Sequence, residues 1–457
     1  MLREYIDGLR ARGELVSITR HVSTIFEIAA LTARFDGKEA LLFEHVKNEK
    51  WKKEKEVGAG KGASERSDSI GRVVSNLCGT RRRFAYALGC DEQGIHGAIA
   101  KAVNSPLKPS MGEILAGNTT RTLDVLPIVM HFEKDAGPFI TSSIVFARDE
   151  ENARQNASVH RFLYLDESHM AVRMVEGRHL HKCYQYAKEH GEDLKVSIAI
   201  GVHPAVLIAA AYQADHSVDE LHIANSLLND RLKVSMTGNG LLVPSHAEII
   251  LEGRMLKDVY AEEWMVEMLR TYDHRRKQPV FELDVLRYRD HAIYHDILAG
   301  YSEHRLLMGM PVEAKILNMV KGVVPTTRQV VLTDGGCNWL HAVIQIRKRL
   351  EGEAKNALIA AFAAHPSLKL AVVVDDDIDP NDPKAVEYAL ATRFQADRGL
   401  IVIRDAKGSS LDPSSDQEHL LTSKLGIDAT ASLLKDRSRF EVARIPMIDD
   451  IRVEDYL

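Results

Sequence analysis

The sequence predicts an α+β protein made of two domains. At 457 residues the chain is longer than a single hydrophobic core normally supports. Short apolar strands dominate residues 193–253, which favours a barrel-like or mixed α+β first domain. After about residue 307 strands alternate with helices, an order typical of a parallel or mixed sheet covered by helices. We therefore place a domain boundary near residues 300–312.

The elements of the first domain follow from residue spacing. Leu2, Ile6 and Leu9 recur at helical spacing, and Gly13 ends that helix. The remaining elements predicted for this domain are strands at 41–46, 139–147, 196–201, 232–236, 247–253 and 279–287, and a helix at 203–212.

The segment 47–68 has a different composition. It is rich in Lys, Glu, Gly and Ser and almost free of apolar residues. Such a segment cannot bury enough surface to offset the entropy lost on ordering. We predict a flexible surface insertion here, and a functional tail is the alternative.

The second domain begins with a helix and then alternates. Asp382 and Pro383 suit the N-cap and first position of a helix that runs to Phe394. The aspartates at 375–377 and 379 follow a strand directly, so we interpret them as the exit of that strand and assign them no site. The other predicted elements are helices at 312–319 and 354–364 and strands at 329–332, 368–374 and 399–403.

Composition excludes several classes of protein. The formal net charge of -6 argues against a dedicated nucleic-acid binder. No apolar run approaches the ~20 residues that span a bilayer, and the N-terminus lacks the apolar core of a signal peptide. The four cysteines are scattered, as is typical of reduced thiols. We therefore expect a cytoplasmic protein without nucleic-acid or membrane partners.

Seven segments resemble, in the correct order, motifs of UbiD-type decarboxylases. Residues 243–253, V-P-S-H-A-E-I-I-L-E-G, are similar to the family's V-P-A-x-A-E-I-V-L-E-G and give the closest local match. Residues 156–161, N-A-S-V-H-R, resemble N-x-G-x-Y-R, with serine and histidine in place of glycine and tyrosine. The other matching segments are 77–82, 177–179, 219–227, 335–337 and 423–430. The resemblance covers essentially the whole chain apart from the 47–68 insertion.

This resemblance implies a fold, an activity and partners. The first domain, 1–305, would be a mixed α/β domain with a split β-barrel that binds prenylated FMN. The second, 306–457, would be an α/β oligomerisation domain of a homo-oligomer, a dimer or a hexamer. The activity implied is non-oxidative decarboxylation of an α,β-unsaturated or aromatic carboxylic acid. A flavin prenyltransferase would supply the cofactor, which provides the electron sink for the bond that breaks.

Asn156, His179 and Glu220 form a candidate metal site. An amide oxygen, an imidazole and a carboxylate suit a hard divalent ion such as Mn²⁺ or Mg²⁺. The resemblance implies that this ion, with a potassium ion nearby, holds the cofactor phosphate. The residue types alone leave open that all three are surface or satisfied core groups.

Further cofactor and substrate contacts are implied by the motif positions. Arg161 matches the family's active-site arginine, whose two parallel donors fit a carboxylate; an ordinary salt bridge is the alternative. Arg173 and Arg178 match positions near the flavin phosphate, or are solvated. Lys369 matches a lysine that reaches the cofactor, or is an edge residue. The residues 158–160 between the metal and substrate positions, Ser158, Val159 and His160, are assigned to the cofactor as well.

Glu262 and Glu267 are the predicted catalytic carboxylates. The family has E-G-P-F-x-[DE] here, whereas this chain has E-E-W-M-V-E over 262–267. The resemblance implies that Glu262 and Arg161 position the substrate carboxylate and that Glu267 returns a proton to carbon. Five residues apart, the two glutamates converge only in an irregular loop. The alternative is an amphipathic helix over 261–272, with both glutamates facing water.

The substrate is less closely defined. Residues 271–279, 303–311 and 363–369 look most like the archaeal branch that resembles anhydromevalonate phosphate decarboxylases, which make isopentenyl phosphate for isoprenoid synthesis. The basic run 274–277 could then receive a substrate phosphate, or could be a solvated turn. The alternatives are a (hetero)aromatic acid decarboxylase or carboxylase, a non-catalytic flavin-binding paralogue, and a metallohydrolase built on the Asn/His/Glu site.

Overall fold

The computed structural model describes residues 1–49, 70–114, 117–212, 218–443, 445–448 and 450–457. The chain divides into two units, Met1–Ala314 and Lys315–Leu457. The first three residues of the predicted 47–68 insertion are described: Lys47 ends a short strand, and Asn48 donates to the carbonyls of Asp124 and Leu126 at 2.9 Å. The rest of the insertion lies outside the described residues.

A closed barrel of six antiparallel strands forms the centre of the first unit. Its strands are β8 (Phe139–Asp149), β9 (Arg154–Tyr164), β10 (His169–Val172), β11 (Leu194–Ile200), β14 (Ile249–Glu263) and β15 (Arg276–Tyr288). They pair in the order β10-β9-β8-β11-β14-β15, and β15 pairs again with β10, so that Met170 lies opposite both Tyr164 and Phe281. The barrel confirms the predicted fold class of the first domain.

The barrel interior is apolar. Phe162 and Phe281 are fully buried there, with their ring centroids 5.9 Å apart in an edge-to-face arrangement. Strand β9 was not among the predicted strands. Its first eight residues, R-Q-N-A-S-V-H-R, carry mainly polar side chains, and that composition hides the period-2 pattern of a half-buried strand.

The remaining elements of the first unit surround the barrel. The strands are β1 (Leu15–Ile18), β2 (Val22–Ser23), β3 (Ala40–Phe43), β4 (Val46–Lys47), β5 (Arg72–Ser75), β6 (Ser110–Met111), β7 (Asn118–Thr120), β12 (Lys233–Met236), β13 (Leu242–Pro244) and β16 (Ile293–His295). They form small sheets with the strand orders β1-β3-β5-β16, β13-β12-β6 and β2-β4, and β7 pairs with β15 outside the ring. The helices are α1 (Leu2–Ala11), α2 (Glu27–Arg34), α3 (Arg81–Leu88), α4 (Ile95–Asn104), α5 (His179–Glu189), α6 (Pro204–Ala211) and α7 (Glu220–Leu227).

Helix α8 (Ser302–Val323) begins ten residues before the predicted helix at 312–319 and contains Pro311 in its interior. The predicted helix starts directly after this proline, which lacks the N–H that a helix interior uses. Here one missing hydrogen bond is tolerated within 22 residues of otherwise continuous helix.

The second unit contains a mixed five-stranded sheet of order β17-β18-β19-β21-β20, in which β18, β19 and β21 run parallel. This confirms the predicted α/β class. Its strands are β17 (Thr327–Leu332), β18 (His341–Ile346), β19 (Leu370–Asp375), β20 (Leu400–Lys407) and β21 (Leu421–Asp428), and its helices are α9 (Glu353–Ala364), α10 (Pro383–Thr392) and α11 (Ala396–Gly399).

Aspartates at the end of β19 and directly after it form ion pairs with Arg393. Arg393 pairs with Asp375 at 2.7 Å and with Asp377 at 2.6 Å. Asp382 caps α10 by accepting from the Lys384 N–H, as predicted. Within the described part of the chain, no helix combines the length and apolarity needed to cross a bilayer.

Candidate active site

The loop between β14 and β15 carries the predicted catalytic Glu267, whereas the predicted Glu262 lies on β14 itself. Residues 261–263 are strand and the loop after them is irregular, so the alternative of a helix over 261–272 is wrong. Met265 and Met268 are almost fully buried and anchor the loop. Val266 forms a single antiparallel bridge with Tyr272. At the tip Arg270 has φ 62°, a left-handed conformation that turns the chain back within a few residues.

Within this loop Glu267 lies where the sequence predicted, beside Arg161. The Arg161 Nη1 atom donates to Glu267 Oε1 in a short contact. The Glu267 backbone N–H donates to the Thr271 carbonyl at 2.9 Å, which holds the base of the side chain. The two predicted groups therefore meet, although the loop lacks the glycine and proline of the family motif.

The second carboxylate on Arg161 is Glu263, and not Glu262. Nε of Arg161 donates to Glu263 Oε1 at 2.6 Å, and Nη2 donates to Oε2 at 3.2 Å. Glu263 is fully buried, whereas Glu262 is exposed and lies opposite Lys277 in the sheet. Successive residues of a strand point to opposite faces, so only one of the two glutamates can reach Arg161. The motif match pointed to Glu262, because Glu262 and Glu267 keep the five-residue spacing of the family pattern. The pair that the structure places on Arg161, Glu263 and Glu267, is only four residues apart.

A third carboxylate, Asp273, completes the surroundings of Arg161. Its Oδ2 accepts from Arg161 Nη2 at 3.3 Å. Burial opposes the charge of Arg161, but the adjacent carboxylates of Glu267, Glu263 and Asp273 together raise the pKa of this guanidinium above its ordinary value. Arg161 is therefore a permanent, nearly buried cation that is held from three sides.

His304 and Asp135 adjoin this cluster, and neither was predicted. His304 Nδ1 accepts from the Gly300 N–H at 3.1 Å, so the neutral ring carries its proton on Nε2. Burial lowers the pKa of His304, although the charge of Glu267 opposes the shift. Asp135 accepts from the Val266 N–H at 3.1 Å, and burial raises its pKa to about 6. No short motif points to these residues, since they come from separate segments.

The predicted metal ligands also converge. Asn156 lies on β9, His179 is the first residue of α5, and Glu220 is the first residue of α7. The Asn156 amide nitrogen lies 3.3 Å from Glu220 Oε1 and 3.4 Å from His179 Nδ1. Glu220 is buried and also accepts from the Ala157 N–H at 3.1 Å, and burial raises its pKa to about 7.

Ser158 and His160 determine which way the Asn156 amide points. Nδ1 of His160 lies 2.9 Å from the carbonyl oxygen of Arg173, which can only accept, so Nδ1 carries a proton. Burial lowers the pKa of His160 to about 4, and the neutral ring then accepts at Nε2 from the Ser158 hydroxyl, 2.9 Å away. The hydroxyl has no second proton for Asn156, 3.1 Å away. Turning the Asn156 amide over, which exchanges its oxygen and nitrogen positions, would let the NH₂ group donate to Ser158 and would place the amide oxygen towards Glu220 and His179.

This orientation tests whether the residues present fit a metal ion. Turned this way, the amide oxygen would join the Glu220 carboxylate and the His179 imidazole as a donor to a cation placed between them. The set of two oxygen donors and one nitrogen donor suits Mn²⁺ or Mg²⁺. Among the described residues no group of three or more His, Cys, Asp or Glu side chains could hold a metal, and in this set Asn156 is the third member.

The other predicted cofactor contacts are distributed differently. Arg178 is exposed and is the N-cap residue of α5, next to His179. Arg173 lies near the Arg161 cluster, with Nε 3.7 Å from Asp273 Oδ2. Val159 packs partly against the apolar core. Lys369 belongs to the second unit, where it contacts Asp412 at 2.8 Å and Ser414. The cofactor roles of these four residues stay predictions.

Comparison with known proteins decides the family. Models of the 3-octaprenyl-4-hydroxybenzoate carboxy-lyase N-terminal domain, Rift-related domain and C-terminal domain match residues 6–103, 101–302 and 305–429. The chain belongs to the UbiD family. It is therefore a carboxy-lyase, as the resemblance implied.

Relatives within the UbiD family include archaeal enzymes. The anhydromevalonate phosphate decarboxylase of Methanocaldococcus jannaschii is 51% identical over 320 residues, which cover 70% of this chain and 75% of the relative. The Methanosarcina mazei protein of the same name is 38% identical over 454 residues, or 97% of this chain and 99% of the relative.

Two solved structures of a UbiD-class enzyme have the same fold. HmfF from Pelotomaculum thermopropionicum in complex with FMN matches with a TM-score of 0.92 and 37% identity, covering all of both chains. An evolved dimeric form of HmfF in complex with prFMN matches with a TM-score of 0.88 and 35% identity, covering 100% of this chain and 99% of that one.

Proposed function

We propose that this chain is a prenylated-FMN-dependent decarboxylase that converts trans-anhydromevalonate 5-phosphate into isopentenyl phosphate. One observation carries the proposal: a nearly buried arginine, Arg161, is held between Glu263 and Glu267 in the barrel unit of a UbiD-family fold. The substrate assignment is supported by the identity of 51% to an archaeal enzyme of that name.

The residues around Arg161 would bind and orient the acid. The substrate carboxylate takes two parallel donors from the guanidinium, as carboxylates do in bidentate ion pairs. It competes with Glu267 for Nη1 and with Asp273 for the second N–H of Nη2, while Glu263 keeps its two contacts at 2.6 and 3.2 Å and fixes the plane of the guanidinium. Glu263 is thus a positioning residue in place of the predicted Glu262.

Glu267 would return the proton. Once the substrate carboxylate displaces it from Arg161, its carboxyl group can hold a proton beside the carbon that loses CO₂. The His304 ring, whose pKa is lowered by burial and raised by the charge of Glu267, would contact Glu267 and pass protons to it. When bound, the prenylated flavin supplies the electron sink for the breaking carbon–carbon bond.

Asn156, His179 and Glu220 would hold a Mn²⁺ or Mg²⁺ ion, with K⁺ nearby, that binds the cofactor phosphate. Support comes from their convergence and from the amide orientation that Ser158 and His160 require. The N-terminus of α5, with Arg178 at its N-cap, also suits a phosphate, because the helix dipole and the free backbone N–H groups there favour an anion.

We further propose that the protein acts in the cytoplasm as a homo-oligomer, a dimer or a hexamer, and receives its cofactor from a flavin prenyltransferase. The assembly is supported by apolar side chains that the second unit leaves exposed, including Leu434, Ile445 and Met447.

The test is to produce the chain together with a flavin prenyltransferase, in medium containing Mn²⁺, and to measure the mass of the bound cofactor and the turnover. We expect the mass of prenylated FMN, release of CO₂ from anhydromevalonate phosphate, and formation of isopentenyl phosphate. Turnover of furoic or hydroxybenzoic acids in its place would assign an aromatic acid decarboxylase. Bound flavin without any turnover would identify a non-catalytic paralogue, and hydrolytic activity without flavin would identify a metallohydrolase.

A further inference from the structure

Three arginines converge on the carboxylate of Asp273, beside Arg161. Arg276 Nη1 donates to both carboxylate oxygens, at 2.8 and 3.0 Å. Arg161 Nη2 lies 3.3 Å from Oδ2, and Arg173 Nε lies 3.7 Å from the same oxygen. Three guanidinium groups around one carboxylate is more positive charge than that carboxylate can balance.

The ion pairs divide this charge unequally. Arg161 has Glu263 and Glu267 as further partners. Among the described residues, Arg173 and Arg276 have Asp273 as their sole ion-pair partner. The Arg173 side chain also donates a hydrogen bond to a neutral group, the Met174 carbonyl, at 2.7 Å. Two largely buried guanidinium groups thus share one carboxylate, which leaves the pair suited to a second anion.

Strand register explains why only one residue of the basic run 274–277 takes part. Arg276 lies opposite buried Glu263 in the β14–β15 pairing and therefore shares its face, whereas Lys277 lies opposite exposed Glu262. Arg275 is exposed, with its guanidinium 4.3 Å from the centre of the Trp264 ring. The sequence left open whether the run 274–277 receives a phosphate or is a solvated turn. His274, Arg275 and Lys277 are exposed, as in a solvated turn, whereas Arg276 is not.

We propose that Arg173 and Arg276 bind the phosphate monoester of a short acyclic substrate whose carboxylate is held by Arg161. The inference rests on the proposed function and names the residues that select the phosphorylated acid. Nη2 of Arg161 and Nη1 of Arg276 contact the same Asp273 oxygen, so they cannot be farther apart than the sum of 3.3 and 3.0 Å. A short substrate with a carboxylate at one end and a phosphate at the other is long enough to reach both arginines. An acid without a second anionic group makes no contact with Arg173 and Arg276, which stay paired with Asp273, and so gains no binding free energy from them.

The test uses holoenzyme and two acids, anhydromevalonate phosphate and its dephosphorylated analogue. For Arg276→Gln we expect KM for the phosphorylated acid to rise by roughly ten- to a hundredfold, as the loss of charged hydrogen bonds implies. KM for the dephosphorylated acid should stay within about twofold, so the preference between the acids collapses. Inorganic phosphate should compete with the phosphorylated acid in the wild type, and more weakly in the variant. Arg276→Lys should recover part of the preference, because lysine binds phosphate as a point charge.

Lys277→Gln is the matched control, because it removes a positive charge one residue away on the opposite face. Arg173→Gln should reproduce the loss of preference while retaining bound flavin. Release of the flavin from Arg173→Gln would instead assign this residue to the cofactor and overturn its part in the proposal. An unchanged preference in Arg276→Gln, or equal losses for both acids, would overturn the proposal for Arg276. If the wild type turns over other acids but not the phosphorylated one, the proposed function fails first and this inference fails with it.

Discussion

Replacing each of two adjacent glutamates separately distinguishes the site geometry from the motif match. Glu262→Gln and Glu263→Gln remove the same charge from neighbouring positions of β14, one exposed and one fully buried against Arg161. In the flavin-free protein we expect Glu262→Gln to change the free energy of unfolding by less than about 0.5 kcal/mol, as surface substitutions do.

Glu263→Gln removes half of a buried ion pair. Breaking such a pair costs about 3–5 kcal/mol when the remaining charge has no other partner. Arg161 keeps Glu267 and Asp273, and glutamine still accepts one hydrogen bond, so we expect a loss of about 1–3 kcal/mol. Urea unfolding of the two variants and the wild type measures the difference.

Activity should separate the variants more widely. A guanidinium freed on one side shifts relative to the reacting carbon, and small misplacements of this kind lower rates by about a hundredfold. We expect kcat/KM of the Glu263→Gln holoenzyme to fall by at least that factor, with the Glu262→Gln enzyme within about twofold of the wild type. A Glu262→Gln enzyme that loses activity while Glu263→Gln retains it would refute this reading of the strand.

Three further outcomes follow from the described contacts. Ser158→Ala leaves the Asn156 amide without the partner that orients it, so we expect Mn²⁺ affinity, measured by calorimetry, to weaken by about 10-fold or more; unchanged affinity would exclude the relay through His160. The pKa of Asp135 is raised to about 6 in the fold, so the native state holds an extra proton below that pH, and the free energy of unfolding falls as the pH rises through about 4 to 6. Between those pH values the wild type should lose about 1–3 kcal/mol relative to Asp135→Asn, and parallel pH profiles of the two proteins would contradict this. Phe281→Ala in the barrel interior should cost about 3–5 kcal/mol, measured by chemical denaturation, and a loss below about 1 kcal/mol would contradict the packing described for the barrel.

The sequence predicted the fold well where burial leaves a regular pattern. The helix of Leu2, Ile6 and Leu9 and the Asp382 cap agree with the structure, because spacing and capping are local properties. Strand β9 was missed because site residues such as Asn156 occupy positions that would otherwise be apolar. The polar site residues of β9 thus interrupt the apolar alternation by which this strand would be recognised in the sequence.

The sequence also predicted part of the candidate site and missed part of it. Asn156, His179 and Glu220 were found through motif order and do converge, as do Arg161 and Glu267. The choice between Glu262 and Glu263 depends on which face of β14 points inward. The register of β14 shifts between Met255 and Tyr260, so alternation counted from the buried residues before that shift gives no reliable face. Such a shift is a property of strand pairing, which single-sequence patterns do not contain.

The most direct test of the claim that Glu267 protonates the substrate carbon is to follow the proton that replaces the carboxylate. Holoenzyme acting on anhydromevalonate phosphate in D₂O should give isopentenyl phosphate with one deuterium on the carbon that lost CO₂, detected by mass spectrometry and NMR. Glu267→Gln should retain the cofactor, shown by an unchanged flavin spectrum, and form this product at least about a hundredfold more slowly. Deuterated product formed at the wild-type rate by Glu267→Gln would show that the carboxylates around Arg161 do not perform the chemistry.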